Sequence, residues 1–388
     1  MSKRTACGSC GSNILQPFLD LGETPLADAF PKSPDEPETF YPLGLCVCHK
    51  CWLVQNTEVV PDELLYNDDY GFYTGASPSS IAYFADYAAD AVKRFNPKFV
   101  VEIASNDGTL LRQFTGARKL GVEPSASVAR VAQAAAIPTI IEPFGRKVAA
   151  DIVSLDGWPD LVIANNVIAH VSDLDDFVGG LADLLGPKGT AIIEFQYVAD
   201  LLAFNQFDHV YHEHRSFFSL SSLDRVLARH GLHVFDYEFT PAQGGSIRAY
   251  VTRRETGPAY SVEDWLAAPP AYAGFQGRVD RLRDCLVELV WERQQIGPVA
   301  GYGASAKSTT LLNYCGLSAL DRVVDLTPAK IGRYTPGTLI SIVDEPLDPD
   351  TTYLLLAWNY LSGVLQRERE FREAGGRFIV PIPMPVLL

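Results

Sequence analysis

The chain has 388 residues, 47% of them hydrophobic and 20% charged, with 30 Gly and 26 Pro. That length suggests two or three globular units, and the composition excludes disorder and collagen-like structure. Lys and Arg number 32 against 47 Asp and Glu, a net charge of −15 with no basic run, which excludes the phosphate backbone of nucleic acid as a partner.

The amino-terminal residues Met1 to Cys10 are polar and thiol-bearing, with no apolar core of a signal segment. No stretch approaches the roughly 18 consecutive apolar residues of a membrane span. The expectation is a soluble, cytoplasmic protein with reduced thiols and no membrane partner. Of its 7 cysteines, five fall within the first 51 residues. Cys7 and Cys10 form one C-x-x-C and Cys48 and Cys51 a second, with 37 residues between them (11–47). Two tight knuckles of this kind offer the four thiolates that Zn2+ prefers, and leave no open position for catalysis. The metal set is therefore Cys7, Cys10, Cys48 and Cys51, with a structural zinc. Cys46 and His49 are alternative ligands for the second pair, and a redox pair or four buried thiols are the competing readings. The gap is read as a Pro-rich loop from Pro25 to Pro42, and the segment to about residue 68 as too small for a core without its metal.

From residue 69 to about 254 strands and helices alternate. A helix is predicted at 81–95, strands at 99–103, 119–122 and 160–164, a helix at 173–185 stopped by Gly186-Pro187, and a strand at 190–195. This alternation predicts a parallel α/β sheet covered by helices on both faces. A third segment, 255–388, opens with a long helix at about 271–295, on which Val279, Leu282, Leu286 and Leu289 recur at helical spacing. Strands follow at 299–302, 322–325, 353–357 and 378–380, which predicts a second α/β domain.

In such sheets the ligand lies beyond the carboxyl ends of the strands. The loop after the first strand of the central segment runs Glu102-Ile103-Ala104-Ser105-Asn106-Asp107-Gly108. It has one of the three glycines of a dinucleotide fingerprint, and Glu102 and Asp107 would repel pyrophosphate but attract a sulfonium or ammonium. Glu123 follows Glu102 by 21 residues, where a carboxylate can accept the hydroxyls of a ribose. S-adenosylmethionine meets both demands, whereas solvated acids on an ordinary turn are the bland reading.

The densest polar cluster is Phe207-Asp208-His209-Val210-Tyr211-His212-Glu213-His214-Arg215. Three histidines, a tyrosine and a carboxylate within residues 209–214 would each need a partner if they only packed. Methyl transfer to carbon requires an enolate, hence a base and a stabiliser of the oxyanion. His214 or Tyr211 is the candidate base, Glu213 would orient the imidazole, and His170 at the end of Asn165-Asn166-Val167-Ile168-Ala169-His170 would face the same cleft. A rival reading makes His209, His212 and His214 a metal site.

Together these segments resemble the S-adenosylmethionine-dependent sugar C-methyltransferases that act at C3 of dTDP-linked 4-keto-deoxysugars in branched-sugar pathways of antibiotics. The resemblance spans essentially the whole chain. It rests on the paired cysteines with Leu53-Val54-Gln55, Glu102 to Gly108, Asn165 to His170, Tyr211-His212-Glu213-His214 and Gly244-Gly245-Ser246-Ile247-Arg248. In the third segment it rests on Tyr302-Gly303-Ala304-Ser305-Ala306-Lys307, Pro336-Gly337-Thr338 and Ala357-Trp358-Asn359. It implies an amino-terminal zinc module (1–68), a class I methyltransferase Rossmann-like domain (69–254) and a Rossmann-like sugar-nucleotide domain (255–388). It also implies deprotonation by Tyr211, Glu213 and His214, with His170 beside them. The cofactor would lie on Glu102, Ser105, Asn106, Asp107, Gly108, Glu123, Asn165 and Asn166, and the dTDP-sugar on Tyr73, Arg248, Tyr302, Ser305, Lys307, Tyr334 and Asn359. Two positions depart from the family pattern: Gln243 stands where His is expected before Gly-Gly-Ser, and Arg215 where an apolar residue is usual.

An alternative of another class comes from Gly301-x-Gly303 with Asp325 placed 22 residues after Gly303, a partial dinucleotide fingerprint. It would add NADPH-dependent reduction of the 4-ketone. The same loop, with Lys307-Ser308 opening a helix, reads more simply as a site for the substrate diphosphate; Ala306 rules out a Walker A motif. A non-catalytic zinc-bearing scaffold is the third reading.

Overall fold

The computed structural model describes residues 2–65, 73–76, 78–253 and 261–388. The segment boundaries expected at 68/69 and 254/255 lie outside the described residues. In the first segment β1 (Ser2–Lys3) pairs with β5 (Glu58–Val59). Between them β2 (Leu15–Pro25), β3 (Phe40–Cys48) and β4 (Val54–Asn56) form an antiparallel sheet, and residues 26–39 make the expected long connection. Pro17 and Pro25 are tolerated because β2 is an edge strand.

The first segment does not stand alone. Ser216–Phe217 of the central segment adds to β4 as a fourth strand, with Ser216 opposite Gln55 and Phe217 opposite Val54. Asn56 Nδ2 donates to the Tyr211 carbonyl at 3.1 Å. Arg215 reaches back to the Val60 carbonyl at 2.6 Å and to Asp62. One apolar core runs from Cys7, Cys48 and Leu53 through Val101 and Val162 to Val299 and Ile379. The segment therefore buries its apolar face against the rest of the chain, in addition to whatever its metal contributes.

The central sheet contains β6 (Phe99–Ile103), β7 (Arg118–Val122), β8 (Thr139–Ile140), β9 (Leu161–Asn165) and β10 (Thr190–Gln196), all parallel. Beyond β11 (Ser216–Phe217), the chain returns as β12 (His233–Thr240) and β13 (Ser246–Thr252), which give the order β12-β13-β10-β9-β6-β7-β8. Here the expectation of a purely parallel sheet is corrected: β13 runs antiparallel to both β10 and β12. The short link at Gly244-Gly245, with φ of 83° and 126°, permits a hairpin and needs no crossover helix. Strand β9 is an unbroken apolar run because both faces of the sheet are covered. The helix Leu174–Leu184 begins where the Asp173 carboxylate accepts from the N–H groups of Asp175 and Asp176, both at 3.0 Å. Strand β6 lies where the order of strands reverses, so the loop after Glu102 opens into the ligand crevice of the sheet.

The third sheet has β14 (Val299–Tyr302), β15 (Val323–Val324), β16 (Ile342–Val343), β17 (Thr352–Leu355), β18 (Arg377–Val380) and antiparallel β19 (Val386–Leu387), in the order β16-β15-β14-β17-β18-β19. The long helix starts later than the periodicity predicts, at Phe275, after Gly274 in the left-handed region. It buries Val279, Leu282 and Leu286 as expected, then Val290 in preference to Leu289. Among the described residues no helix is long and apolar enough to cross a membrane.

Candidate active site and metal centre

The four predicted cysteines converge. Cys7 Sγ lies 3.5 Å from Cys51 Sγ and Cys10 Sγ lies 3.6 Å from Cys48 Sγ, with all four sulfurs within 4.8 Å of one another. A tetrahedron with metal–sulfur bonds of about 2.3 Å has edges near ~3.8 Å, so the thiols fit zinc. Each pair sits on a knuckle: Gly11 N–H donates to the Cys7 carbonyl at 3.0 Å and Trp52 N–H to the Cys48 carbonyl at 2.8 Å. Cys46 and His49 stay outside the set. The Cys46 thiol faces the Gln55 carbonyl, and His49 hydrogen-bonds Gln16 at 2.7 Å and stacks on Trp52.

In the crevice beyond β6 the chain turns through Ala104 and Asn106 at φ 56° and 50° and Gly108 at 74°. Glu123, just past β7, accepts Asn106 N–H at 2.9 Å on one oxygen and Ser125 N–H at 2.8 Å on the other, so it fixes both loops and each oxygen retains a further lone pair. Thr74 N–H donates to Asn106 Oδ1 and Gly75 N–H to Asp107 Oδ2, at 2.9 and 2.8 Å, which brings exposed Tyr73 to the rim. Ser105 is packed against Gly121, where an added Cβ would lie 2.3 Å from Ser105 Oγ. Asn165 Oδ1 accepts from Tyr87 at 3.2 Å, and Asn166 (φ 52°) donates its N–H to the Glu194 carbonyl. Glu102 is buried, with one carboxylate oxygen lacking a hydrogen-bond partner among the described residues. Burial, then Asp107 and Glu123, push its carboxyl well above the usual range. Three acids meeting at one point would be relieved by a cation, which the sulfonium of S-adenosylmethionine provides.

The polar cluster folds as a short turn, Phe207–His209, followed by an irregular stretch leading into β11. His214 Nδ1 lies 2.8 Å from the His209 carbonyl, which can only accept, so Nδ1 carries the proton and Nε2 the lone pair. That lone pair faces the Tyr211 hydroxyl at 2.7 Å, and the two rings stack with centroids 4.0 Å apart. His170 stands edge-on to His214 at 4.8 Å. Burial holds both imidazoles neutral: His170 is pushed down to about 4, by burial first and then by Arg215, and His214 lies well below its ordinary value.

Glu213 does not orient His214, because the His209 carbonyl occupies that position. Its carboxyl faces Asp28 of the 26–39 connection, and burial, then Asp28, raise it to about 8. One of its oxygens lacks a hydrogen-bond partner among the described residues. Nor do the three histidines form a metal site: His212 Nε2 faces the Pro42 carbonyl at 3.2 Å, away from His214. Among the described residues the four cysteines alone have metal-ligand geometry.

The third-sheet residues are divided. Ser305 caps the helix Ala306–Cys315, accepting Ser308 N–H at 3.3 Å. Lys307, expected to point outward to a diphosphate, instead buries its ammonium toward Asp208. Asn359 donates to Gln243 Oε1 at 3.3 Å, and neighbouring Trp358 donates Nε1–H to Asp208 Oδ2 at 2.6 Å, a link that sequence reasoning missed. Tyr302 is bonded to Glu368 and Arg367. Tyr334 N–H bonds the Pro31 carbonyl, which ties the third sheet to the zinc segment. Arg248 is held elsewhere, between Glu194 (3.0 Å) and Glu238 (2.6 Å) over the Tyr87 ring, far inside the central sheet. Asp325 accepts Ala304 N–H at 2.6 Å and Thr327 N–H at 2.7 Å, the same double acceptance that Glu123 makes.

A crevice of converging acids at the switch point of a mixed seven-stranded sheet defines a class I S-adenosylmethionine-dependent methyltransferase. Family models match residues 80–236 ("Methyltransferase domain"), 241–383 ("C-methyltransferase C-terminal domain") and 7–66 ("Putative zinc binding domain"). The C-methyltransferase NovU of Streptomyces niveus is 34% identical over 403 aligned positions, covering 98% of this chain and 96% of that protein. The chain belongs to the C-methyltransferase family that includes NovU. A ubiquinone biosynthesis O-methyltransferase of Rhodopseudomonas palustris is 28% identical over 127 residues, covering 30% of this chain and 50% of that protein. Among solved structures, the PH0226 protein of Pyrococcus horikoshii is 16% identical, covering 47% of this chain and 95% of that one, with a TM-score of 0.37.

Proposed function

We propose that the protein methylates C3 of a dTDP-linked 4-keto-deoxysugar through an enolate, in the assembly of branched deoxysugars. The observation that carries this reading is the Tyr211–His214 pair, because transfer to carbon needs a base and this one is preassembled. Bound S-adenosylmethionine would supply an electrophilic methyl group. Glu102 and Asp107 would face its positive charge and Glu123 its ribose, with Ser105, Asn106, Gly108, Asn165 and Asn166 shaping the crevice.

The residues of the chain then act on the sugar. The His209 carbonyl fixes the tautomer of His214, so Nε2 can take the Tyr211 proton as the phenolic oxygen receives the proton from C3. Neutral His170 packs on His214 and keeps water from the imidazole. The protonated Glu213 carboxyl can donate to a sugar oxygen. Tyr73 at the rim and Ser305, Tyr334 and Asn359 of the third segment would contact the sugar nucleotide, whose diphosphate suits the helix amino terminus at Ala306.

The test is incubation with S-adenosylmethionine and a series of dTDP-4-keto-deoxysugars, followed by mass spectrometry and NMR with and without NADPH. The reading predicts one added methyl group at C3 and no dependence on NADPH. A methylated product whose formation requires NADPH would call for the bifunctional alternative, and no methylation of any ketosugar would reject the reading.

A further inference from the structure

Three basic side chains are buried among the described residues: Arg215, Arg248 and Lys307. The two arginines are paired, Arg215 with Asp62 and Arg248 with Glu194 and Glu238. Lys307, 7% exposed, has no ion pair within 4 Å and no hydrogen-bond acceptor among the described residues. Its Nζ keeps a small opening to solvent, so an oxygen that arrives with a ligand can reach it and supply the missing acceptor.

Its surroundings indicate which oxygen. The helix Ala306–Cys315 is fastened to the polar cluster: Thr310 Oγ1 donates to the Val210 carbonyl at 2.8 Å, and Asp208 takes the Trp358 indole N–H. The Lys307 charge is felt by Asp208, His209 and His214, and the last of these is bonded to Tyr211. Carboxyl groups crowd the same ground, Glu102, Asp107, Glu123, Glu213 and Asp28; of the nearby cations Arg112 is set against Asp107 at 3.7 Å, and Arg215, felt by His170, is tied to Asp62 and the Val60 carbonyl. An enolate formed among them would be destabilised unless one cation faced it.

We propose that Lys307, contributed by the third sheet, is the catalytic cation that binds the ketone oxygen and stabilises the enolate, in place of holding the diphosphate. This rests on the reading that the substrate is a 4-ketosugar. The C3–H bond breaks, its proton goes to the Tyr211 oxygen as the phenolic proton passes to His214 Nε2, and the electron pair moves through the C3–C4 bond onto the oxygen facing Lys307. Asp208, whose second oxygen has no hydrogen-bond partner among the described residues, is a positioning residue that keeps the ammonium charged in the empty site.

The test uses the full chain with saturating dTDP-4-keto-deoxysugar in deuterium oxide and no S-adenosylmethionine, with C3–H exchange followed by NMR. Exchange by the native protein establishes the enolate; its absence with every ketosugar tried would remove the substrate reading itself. Lys307→Met should slow exchange at saturation by about 10²–10³-fold, the usual cost of losing one oxyanion donor, with the dissociation constant of the sugar nucleotide changed little. Exchange at the native rate with a weakened sugar nucleotide would overturn the proposal and return Lys307 to the diphosphate. Zinc content and thermal melting report whether the variant is folded.

The pH dependence of exchange gives a second reading. Burial pushes the Lys307 ammonium down to about 8, with Asp208 opposing, while His209 and His214 stay neutral and Tyr360 presents only its ring face at 6.0 Å. Exchange at saturation should therefore fall above about pH 8, where Glu213, raised to about 8, also loses its proton; the fall should persist in Glu213→Gln if Lys307 causes it. A rate that stays level from pH 7 to pH 10 would overturn the proposal.

Discussion

Arg248 allows a sharp test because its expected and observed roles differ. Its guanidinium donates to Glu194 Oε2 through Nε and Nη2, at 3.1 and 3.0 Å, and to Glu238 through Nη1 at 2.6 Å. It also covers the Tyr87 ring at 3.7 Å. Glu194 is wholly buried on β10, and its only other side-chain partner among the described residues is Tyr83 at 2.7 Å. Arg248→Met keeps much of the packing volume but leaves that carboxylate without its counter-charge. Breaking a buried pair from one side costs about 3 to 5 kcal/mol. The Glu238 contact adds little, since that carboxylate is half exposed.

The loss should depend on pH. Burial already raises the Glu194 carboxyl, and removing Arg248 raises it further, so the folded variant binds a proton that the unfolded chain releases. Its stability should therefore rise as pH falls from 8 toward 5, narrowing the gap to the native protein. Urea unfolding followed by circular dichroism at both pH values measures this, and Arg248→Met with Glu194→Gln should recover most of the loss. A single variant less than about 1 kcal/mol below native at pH 8, with a raised KM for sugar nucleotide, would refute the structural role and restore Arg248 to substrate binding.

Cys10→Ser or Cys51→Ser should release about one zinc per chain and open the first 60 or so residues to protease, as each removes one of four thiolates; a metal-free protein that resists protease would contradict this. Glu123→Ala should weaken S-adenosylmethionine by about 1 to 3 kcal/mol in calorimetry, through lost charge-assisted hydrogen bonds and a loosened Asn106 loop. Tyr211→Phe and His214→Asn should each lower methylation by about 10² to 10⁴-fold while leaving cofactor affinity intact; equal rates in single-turnover assays would move the base to His170.

Much of this architecture is legible because periodicity, caps and breakers leave local marks. The run Leu161 to Ala164 can only be a strand buried on both faces, and Asp173 with Gly186-Pro187 brackets its helix. The cysteine knuckles announce their metal by spacing alone. What escapes is long-range pairing. Nothing local in Ser216-Phe217 says that it completes the sheet of the zinc segment, or that Arg215 departs from an apolar pattern to reach Asp62. The polar cluster stands out in the sequence as a candidate site, yet the contacts within it do not. Whether Glu213 or the His209 carbonyl orients His214 depends on backbone turns that bring a carbonyl within 2.8 Å. Lys307 reads in the sequence as a cation for a diphosphate at a helix start, whereas its direction is set by packing of that helix on the 207–210 stretch, contacts about 100 residues distant in sequence.

The central claim is that a methyl group is placed on carbon by a site that first removes a proton from that carbon. Its most direct test is turnover with methyl-labelled S-adenosylmethionine and a dTDP-4-keto-deoxysugar deuterated at C3, with the product examined by NMR. The account predicts the labelled methyl bonded to C3, loss of the C3 deuterium to solvent and an unchanged ketone at C4. A label bonded to oxygen or nitrogen, or a product that keeps its C3 deuterium, would contradict it.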